Sequence, residues 1–153
     1  MQINKIKENK DIIGLTLISD NQEKDMPLES AAELIRALNQ INKLPVFFGV
    51  GECNRKYVNE LKKIGIIEFI DLSDVTTIAD LMQILKVCKA LISIDTGTMH
   101  LGCALNIPVI ALFYKKSNVE KWAPRKSLYN CEILTENITA ENIINKLEEL
   151  IQI

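Results

Sequence analysis

The sequence predicts an α/β fold in which helices cover both faces of a doubly wound, mostly parallel sheet. Strand-like apolar runs alternate with helical patterns along the 153 residues, and this alternation is typical of parallel sheets. The runs are continuously apolar, as in strands that are buried on both faces. The segment Lys89–Tyr114 contains a strand, a turn, a helix and a second strand, and a helical crossover of this kind joins parallel strands.

The elements of the first third follow this pattern in chain order. Residues 1–11 are expected to form a lead-in segment, so the predicted domain covers residues 12–153. The first strand is Ile12–Ile18, followed by the polar loop Ser19–Met26. Pro27 suits the first position of a helix, whose inward apolar stripe is Leu28, Ala31, Ala32, Leu34, Ile35 and Leu38.

The remaining elements have comparable signals. The spacing of Thr77 and Asp80 is that of a capping box, which predicts a helix that runs to about Cys88. Before it we expect a strand at Pro45–Gly49, a helix containing Val58, Leu61 and Ile64, and a strand at Ile66–Asp71. After the unit Lys89–Tyr114 we expect a loop at Lys115–Arg125, a strand at Leu128–Leu134, and a helix from about Thr139 with Ile143, Ile144, Leu147 and Leu150 inward.

The turn inside the central unit is the strongest functional signal. The predicted strand Ala90–Ile94 stops at Asp95-Thr96-Gly97, a helix follows, and the strand Val109–Phe113 closes the unit. Open α/β sheets bind ligands in the crevice outside the carboxyl ends of their strands. We therefore expect the binding site at this turn.

The chemistry of the turn favours phosphate. The backbone amides from Gly97 to His100 would begin a helix, where amides lack intrahelical partners and carry the positive end of the helix dipole. Gly97 allows a ligand to approach the backbone closely, and Thr96 and Thr98 add hydroxyl groups. These features predict a phosphate cradle. Asp95 would repel phosphate, so its carboxylate is expected to cap the helix or to orient a neighbouring group.

Composition limits the class of protein. The chain is 48% hydrophobic with a net charge of −2, which favours one soluble globular domain and gives no electrostatic footprint for nucleic acid. No apolar run reaches the length of about 18 residues that predicts a membrane span, and a polar start without a signal peptide favours a cytoplasmic location. Scattered cysteines are expected to be reduced and mostly buried: Cys53, Cys88, Cys103 and Cys131.

Four segments resemble one known family. The segment Asp95–Phe113, DTGTMHLGCALNIPVIALF, is similar to the DTG-x-x-H segment of glycosyltransferase family 9, the lipopolysaccharide heptosyltransferases. Lys24–Pro27 resembles the K-x-W-P segment of that family, with Met26 in place of tryptophan. Gly49–Arg55 is similar to its Gly-x-x-x-Glu turn, and Lys121–Pro124 to its W-x-P segment. These matches occur in the order that the family has.

The resemblance implies a Rossmann-like half of a GT-B enzyme, which has two such domains facing across a cleft. The carboxyl-terminal domain of these enzymes holds a nucleotide-sugar donor, typically ADP-heptose, and transfer inverts the anomeric carbon without a metal or another cofactor. Carried over by motif, Ser19 and Lys24 would contact the donor phosphates, and Glu52 would contact the ribose. The diphosphate end of the site would consist of Asp95, Thr96, Gly97, Thr98 and His100.

The same resemblance implies that this chain begins where the second domain of the family begins. The acceptor domain and its catalytic base are therefore expected outside this chain, which would be a fragment of a longer protein or the product of a split or truncated gene. No catalytic residue is assigned here. The chain would be a donor-binding domain of lipopolysaccharide core synthesis, located in the cytoplasm or at the inner membrane face. The segment Tyr114–Lys116 replaces a glycine-containing turn near the sugar, so the identity of the donor stays open.

Each candidate residue also has a purely structural interpretation. Lys24 could be a solvated loop lysine, Glu52 an acid that complements its helix dipole, and His100 a structural histidine. Trp122 is expected to be a packing residue rather than a base-stacking one. These alternatives remain open at the level of sequence.

Three other protein classes share some of these features. A phosphoacceptor receiver would need acid, hydroxyl and lysine groups at strand ends, where this chain has Asp20, Asp71, Thr96 and Lys115. An aspartic protease would use the Asp-Thr-Gly triplet in an all-β fold, which the alternating pattern disfavours. A nucleotide-binding subunit without catalysis remains the third alternative.

Overall fold

The computed structural model describes residues 10–74 and 77–151. Within these residues, six strands form one all-parallel sheet in the order β3-β2-β1-β4-β5-β6. The predicted lead-in falls largely on residues 1–9, which lie outside the described part of the chain. The strands are β1 Asp11–Thr16, β2 Lys43–Phe47, β3 Ile70–Asp71, β4 Ala90–Ile94, β5 Val109–Leu112 and β6 Cys131–Leu134.

Helices connect successive strands, and the capping box predicted at the start of α3 is present. The side chain of Thr77 accepts a hydrogen bond from the backbone of Asp80, whose side chain bonds back to the Thr77 amide. Short 3₁₀ turns at Gln22–Lys24 and Lys116–Asn118 lie in the connections after β1 and β5. The α-helices are α1 Leu28–Gln40, α2 Glu52–Lys63, α3 Ile78–Val87, α4 Gly97–Ala104, α5 Val119–Trp122 and α6 Ala140–Ile151.

The core has two layers because successive strand residues point to opposite faces of the sheet. On β4, Ile92 and Ile94 pack with the buried faces of α1, α2 and α6. Leu91 packs on the other face with residues of α3 and α4, among them Met99. Three of the four free cysteines are buried, as expected, and Cys53 is exposed.

Two predicted strands begin later in the structure because their first residues have other partners. Gly65, which has a φ of 88°, ends α2. Its amide donates to the Lys62 carbonyl, and the Ile66 amide donates to the Leu61 carbonyl, as in a Schellman cap. The third strand therefore begins at Ile70 rather than Ile66. The last strand begins at Cys131 because the residues before it form a turn, in which the amides of Leu128 and Tyr129 both donate to the Arg125 carbonyl.

The strand order decides between two of the sequence interpretations. β1 lies between β2 and β4, which is the 3-2-1-4-5-6 order of a Rossmann-like sheet and not the 2-1-3-4-5 order of a receiver-like one. The receiver interpretation is therefore wrong, and helices on both faces likewise exclude an all-β protease. The order reverses between β1 and β4, so the ligand crevice is expected at the carboxyl ends of these two strands.

No helix within the described residues is long and apolar enough to cross a membrane.

Candidate functional site

The turn after β4 leaves the amino end of α4 open. α4 begins at Gly97, and Thr96 before it makes no side-chain bond to the helix. The amides of Gly97 and Thr98 donate no hydrogen bond to another described residue, whereas the Met99 amide donates to the Thr96 carbonyl at 3.1 Å. Met99 therefore leaves the predicted set of free amides, which ran from Gly97 to His100. A methyl group placed at Gly97 would meet nothing within 4 Å, so a ligand has room to approach the backbone.

Lys24, to which the family resemblance assigns a contact with the donor phosphates, lies at this turn. Its half-buried side chain comes from the 3₁₀ turn after β1, and Nζ donates to the Asp95 carbonyl oxygen at 2.9 Å. An ammonium group has three donors, so two remain for a ligand. This contact joins positions 71 residues apart in sequence.

The loop that carries Lys24 is ordered by Asp25, a residue to which sequence analysis gave no role. The Asp25 carboxylate accepts from the Ser19 amide at 2.7 Å and lies 2.8 Å from the Ser19 hydroxyl. The loop is also tied to α2, since the hydroxyl of the half-buried Tyr57 donates to the Met26 carbonyl at 2.8 Å. Ser19 therefore lies on the same loop as Lys24, but its hydroxyl already has partners within that loop.

Asp95 is nearly buried, with 7% of its surface exposed. Its Oδ2 atom accepts from Nδ2 of Asn118 at 3.1 Å. Because neither carboxylate oxygen accepts from an amide of α4 among the described residues, the helix-capping interpretation of Asp95 is wrong. Asn118, at the end of the 3₁₀ turn after β5, was missed because nothing in that polar loop distinguishes it. The Thr96 hydroxyl lies 3.3 Å from that of Ser93.

Glu52 lies at the same edge of the sheet but is not brought into contact with Lys24. It is the exposed first residue of α2 and follows Gly51, which has φ of 91°. This turn is fixed by Asp74, whose carboxylate accepts from the Gly51 amide at 2.8 Å and from the Arg55 guanidinium at 2.7 Å. The Gly51 amide and then Arg55 lower the pKa of Asp74 below its usual value.

His100 is exposed in the first turn of α4 and lies beside the connection between β5 and β6. Its ring centroid lies 6.3 Å from that of Trp122, with an interplanar angle of 66°. Trp122 is 51% exposed, so it is not the packing residue that the sequence predicts. Both side chains line a cavity of about 260 Å³. Thr98 is half-buried in the first turn of α4.

Metal ligands do not cluster in the described part of the chain: no three His, Cys, Asp or Glu side chains there are arranged to hold an ion.

Comparison with known proteins gives a family and a fold. A family model described as glycosyltransferase family 9 (heptosyltransferase) matches residues 1–151. A search of curated proteins found no match. Among solved structures, a glycosyl transferase of family 9 from Veillonella parvula is similar with a TM-score of 0.80 and 19% identity, over 98% of this chain and 49% of that one.

Two Escherichia coli proteins are also similar in fold. ADP-heptose lps heptosyltransferase II matches with a TM-score of 0.77 and 19% identity, over 99% of this chain and 50% of that one. Heptosyltransferase WaaC, solved with ADP-2-deoxy-2-fluoro heptose, matches with a TM-score of 0.74 and 18% identity, over 94% of this chain and 44% of that one. The chain thus spans about half the length of the structures that it matches.

Proposed function

The chain belongs to glycosyltransferase family 9, and we propose that it binds the nucleotide-diphosphate sugar donor of a heptosyltransferase-type enzyme. Its fold is a Rossmann-like half of the GT-B architecture. We infer that the donor is ADP-heptose and the pathway that of the lipopolysaccharide core. The names of the similar structures support this inference, since one is an ADP-heptose lps heptosyltransferase and another was solved with an ADP-linked heptose analogue.

The observation that carries the proposal is the position of Lys24 beside an open helix terminus. Its Nζ atom is held 2.9 Å from the Asp95 carbonyl oxygen, next to amides at the start of α4 that donate to no other described residue. A glycosyl transfer from such a donor releases a nucleotide diphosphate, on which negative charge develops. An ammonium group and oriented amides stabilise that charge.

The other predicted residues have roles that fit their positions. Gly97 and Thr98 would donate amides to the diphosphate, with the Thr96 hydroxyl beside them. The exposed Glu52 carboxylate would accept hydrogen bonds from the ribose hydroxyls. Asp95, held by Asn118, would accept from a hydroxyl of the sugar.

His100 and Ser19 are proposed to line the two ends of the donor site. His100, in the first turn of α4, would lie toward the sugar, and Ser19, in the loop after β1, would lie toward the nucleotide. The catalytic base and the acceptor are proposed to come from an amino-terminal acceptor domain outside this chain. Sugar transfer on mixing the chain with such a domain would distinguish an enzyme half from a purely nucleotide-binding subunit.

Calorimetric titration with ADP tests the donor site directly. We expect Lys24→Ala to weaken ADP binding at least about tenfold, because a hydrogen bond to a charged group contributes about 1.5–3 kcal/mol. Lys146→Ala is the matched control, since Lys146 is a surface lysine of α6 paired with Glu149. Equal ADP affinity in both variants would remove Lys24 from the site, and an absence of ADP binding to the unaltered chain would contradict the proposal.

The same titration identifies the base and the sugar. We expect ADP-linked sugars to bind more tightly than UDP- or GDP-linked ones, and ADP-heptose more tightly than ADP-glucose. Tighter binding of a sugar linked to another base would leave the assignment of the donor site unchanged, but it would show that the donor is not ADP-heptose.

A further inference from the structure

Lys115 reaches across the carboxyl edge of the sheet from the loop after β5. Its Nζ atom lies 2.9 Å from Oε2 of Glu23, which belongs to the 3₁₀ turn after β1. Because β4 lies between β1 and β5 in the sheet, this ion pair passes over the carboxyl end of β4, where Asp95 begins the turn into α4. The proposed donor function uses neither member of the pair.

The ion pair closes a ring of contacts around Asp95. Lys24, which follows Glu23 in sequence, donates to the Asp95 carbonyl oxygen at 2.9 Å. On the other side, the Asn118 amide donates to the Lys115 carbonyl at 3.0 Å, and the Asn118 side chain donates to Asp95 Oδ2 at 3.1 Å. The two lysines therefore approach the turn before α4 from opposite sides, one from the β1 loop and one from the β5 loop.

The contact between Lys115 and Glu23 is weak enough to be exchanged. The Glu23 side chain is 68% exposed, and an ion pair in so exposed a position contributes little to stability. Lys115 is less exposed, at 39%, so water and salt screen its charge less than that of a fully exposed lysine. Asp95 does not compete, because its carboxylate accepts from Asn118 and forms no ion pair with a described lysine. A ligand with more negative charge than one carboxylate should therefore displace Glu23.

The diphosphate of a nucleotide sugar has this charge, and it gains more during transfer. The anomeric carbon forms a bond to the acceptor oxygen, whose proton goes to the catalytic base. The electron pair of the broken C–O bond stays on the diphosphate, which thereby gains a negative charge. Ammonium groups placed where such charge develops stabilise the leaving group. Lys115 belongs to the segment Tyr114–Lys116, which replaces a glycine-containing turn of the family, so the contact would be a feature of this chain.

We propose that Lys115 is a second cation for the donor diphosphate, and that Glu23 competes with the diphosphate for it. Lys24 contacts the diphosphate from the β1 side and Lys115 from the β5 side, and Glu23 releases Lys115 as the donor binds. The Lys115 contact becomes stronger as the leaving group gains charge. This inference rests on the proposed function and adds a residue and a competing carboxylate to the same site.

Calorimetric titration with ADP, inorganic pyrophosphate and adenosine tests the contact. We expect Lys115→Gln to weaken the binding of ADP and of pyrophosphate about tenfold, the effect of one hydrogen bond to a charged group, and to leave adenosine binding unchanged. Lys115→Arg keeps the charge and should keep most of the affinity. Lys116→Gln is the matched control, because Lys116 forms an ion pair with Glu136 at 2.7 Å in the same connection. It should bind ADP as the unaltered chain does.

Removing the carboxylate of Glu23 distinguishes competition from structural support. We expect Glu23→Gln to bind ADP roughly twofold to fivefold more tightly, because an exposed ion pair holds its partners only weakly. If the ion pair instead supported the loop that carries Lys24, the same substitution would weaken ADP binding. In the Lys115→Gln background, Glu23→Gln should change the affinity little, which separates competition for Lys115 from general repulsion between Glu23 and the ligand.

The outcomes separate this inference from the donor proposal. Equal ADP and pyrophosphate affinities in Lys115→Gln and Lys116→Gln, weaker ADP binding in Glu23→Gln, or the same gain from Glu23→Gln with and without Lys115 would overturn the inference and leave Lys24 in the donor site. Binding of pyrophosphate that depends on Lys115, without any binding of ADP, would support the diphosphate contact and contradict the proposed donor. If neither ligand binds, both proposals are wrong.

Discussion

Asp95 connects the two loops that flank the proposed site. Its backbone carbonyl accepts from Lys24, which follows β1, and its carboxylate accepts from Asn118, which follows β5. The strand before Asp95 lies between those two strands in the sheet. Asp95 therefore fixes the two loops relative to each other at the carboxyl end of β4.

The turn that presents Glu52 depends on one ionised carboxylate. Asp74 accepts from the Gly51 amide and from Arg55, and both interactions lower the pKa of Asp74 below its usual 3.8. A group whose pKa is lower in the folded than in the unfolded state stabilises the fold above its unfolded pKa. The stabilisation from ionised Asp74 should therefore be complete at neutral pH. It should decline as the pH falls below about 3.8 and through the lower pKa that Asp74 has in the folded state.

We expect Asp74→Asn to be less stable than the unaltered protein at neutral pH and to approach it in acid. The measurement is urea unfolding of both proteins from neutral pH down to pH values below the usual aspartate pKa. Glu136→Gln is the control, because Glu136 is an exposed carboxylate with a lowered pKa that contacts Lys116 rather than the Glu52 turn. Glu136→Gln should leave the affinity for ADP unchanged, whereas Asp74→Asn should weaken ADP binding. A stability difference that does not change with pH would contradict this account of Asp74.

The residues of the site differ in how far sequence could predict them. Two of them have local signals. Lys24 lies at a fixed distance from Pro27, and the Asp95–Gly97 turn lies between an apolar strand and a helix. Asn118 and Asp74 have none, because their roles come from hydrogen bonds to residues 19 to 23 positions away. Such contacts depend on how loops meet at the sheet edge, which no local pattern encodes.

At the scale of elements, α4 has one glycine that faces the ligand crevice and one that faces the sheet. A methyl group at Gly97 would meet open space, but at Gly102 it would lie 2.7 Å from Leu91 Cδ2 and 3.2 Å from Val109 Cγ2. Gly102 therefore lets α4 pack closely on β4 and β5. The same substitution at the two positions should separate ligand binding from stability.

We expect Gly102→Val to lower the free energy of unfolding by about 1–3 kcal/mol, the usual cost of overpacking a core. Gly97→Val should leave stability nearly unchanged and weaken ADP binding at least about tenfold, because the side chain fills the space that the diphosphate needs. Urea unfolding and calorimetry measure the two effects. Loss of stability in Gly97→Val, or full ADP affinity with it, would contradict the assigned geometry of α4.

Sequence patterns predicted the bounds of an element well where its apolar residues belong to that element alone and not also to the cap of a neighbouring helix. The predicted strand Ala90–Ile94 has these bounds in the structure, and the helix after it begins at Gly97 as expected. The third strand was overestimated because Ile66, which is apolar and buried, serves the cap of α2 instead. Hydrophobic periodicity does not distinguish a strand residue from the hydrophobic contact of a helix cap.

For the whole molecule, parallel topology brings the functional loops to one edge. The segments after β1, β2, β4 and β5 all leave the carboxyl ends of parallel strands, so their convergence could be predicted from strand type alone. The order of the strands could not, because helical crossovers of similar length can join neighbours on either side. That order places the open amino end of α4 between the loops of Lys24 and Asn118.

Ligand binding at this edge should stabilise the entire domain, since the loops concerned attach to four of the strands in one sheet. At an ADP concentration of about one hundred times the dissociation constant, linkage predicts about 2.7 kcal/mol of added stability. For a domain of about this size, that corresponds to a rise of roughly 5–10 °C in melting temperature. Thermal unfolding monitored by circular dichroism measures it, with inorganic phosphate as the reference ligand.

The two α4 variants make this test specific to the site. Gly97→Val should melt near the unaltered protein without ADP and gain little when ADP is added. Gly102→Val should melt earlier but still gain most of the shift, because its packing defect lies on the sheet side of the helix. If ADP binds but raises the melting temperature of Gly97→Val as much as that of the unaltered protein, the nucleotide occupies another surface, and the phosphate site at the amino end of α4 is refuted.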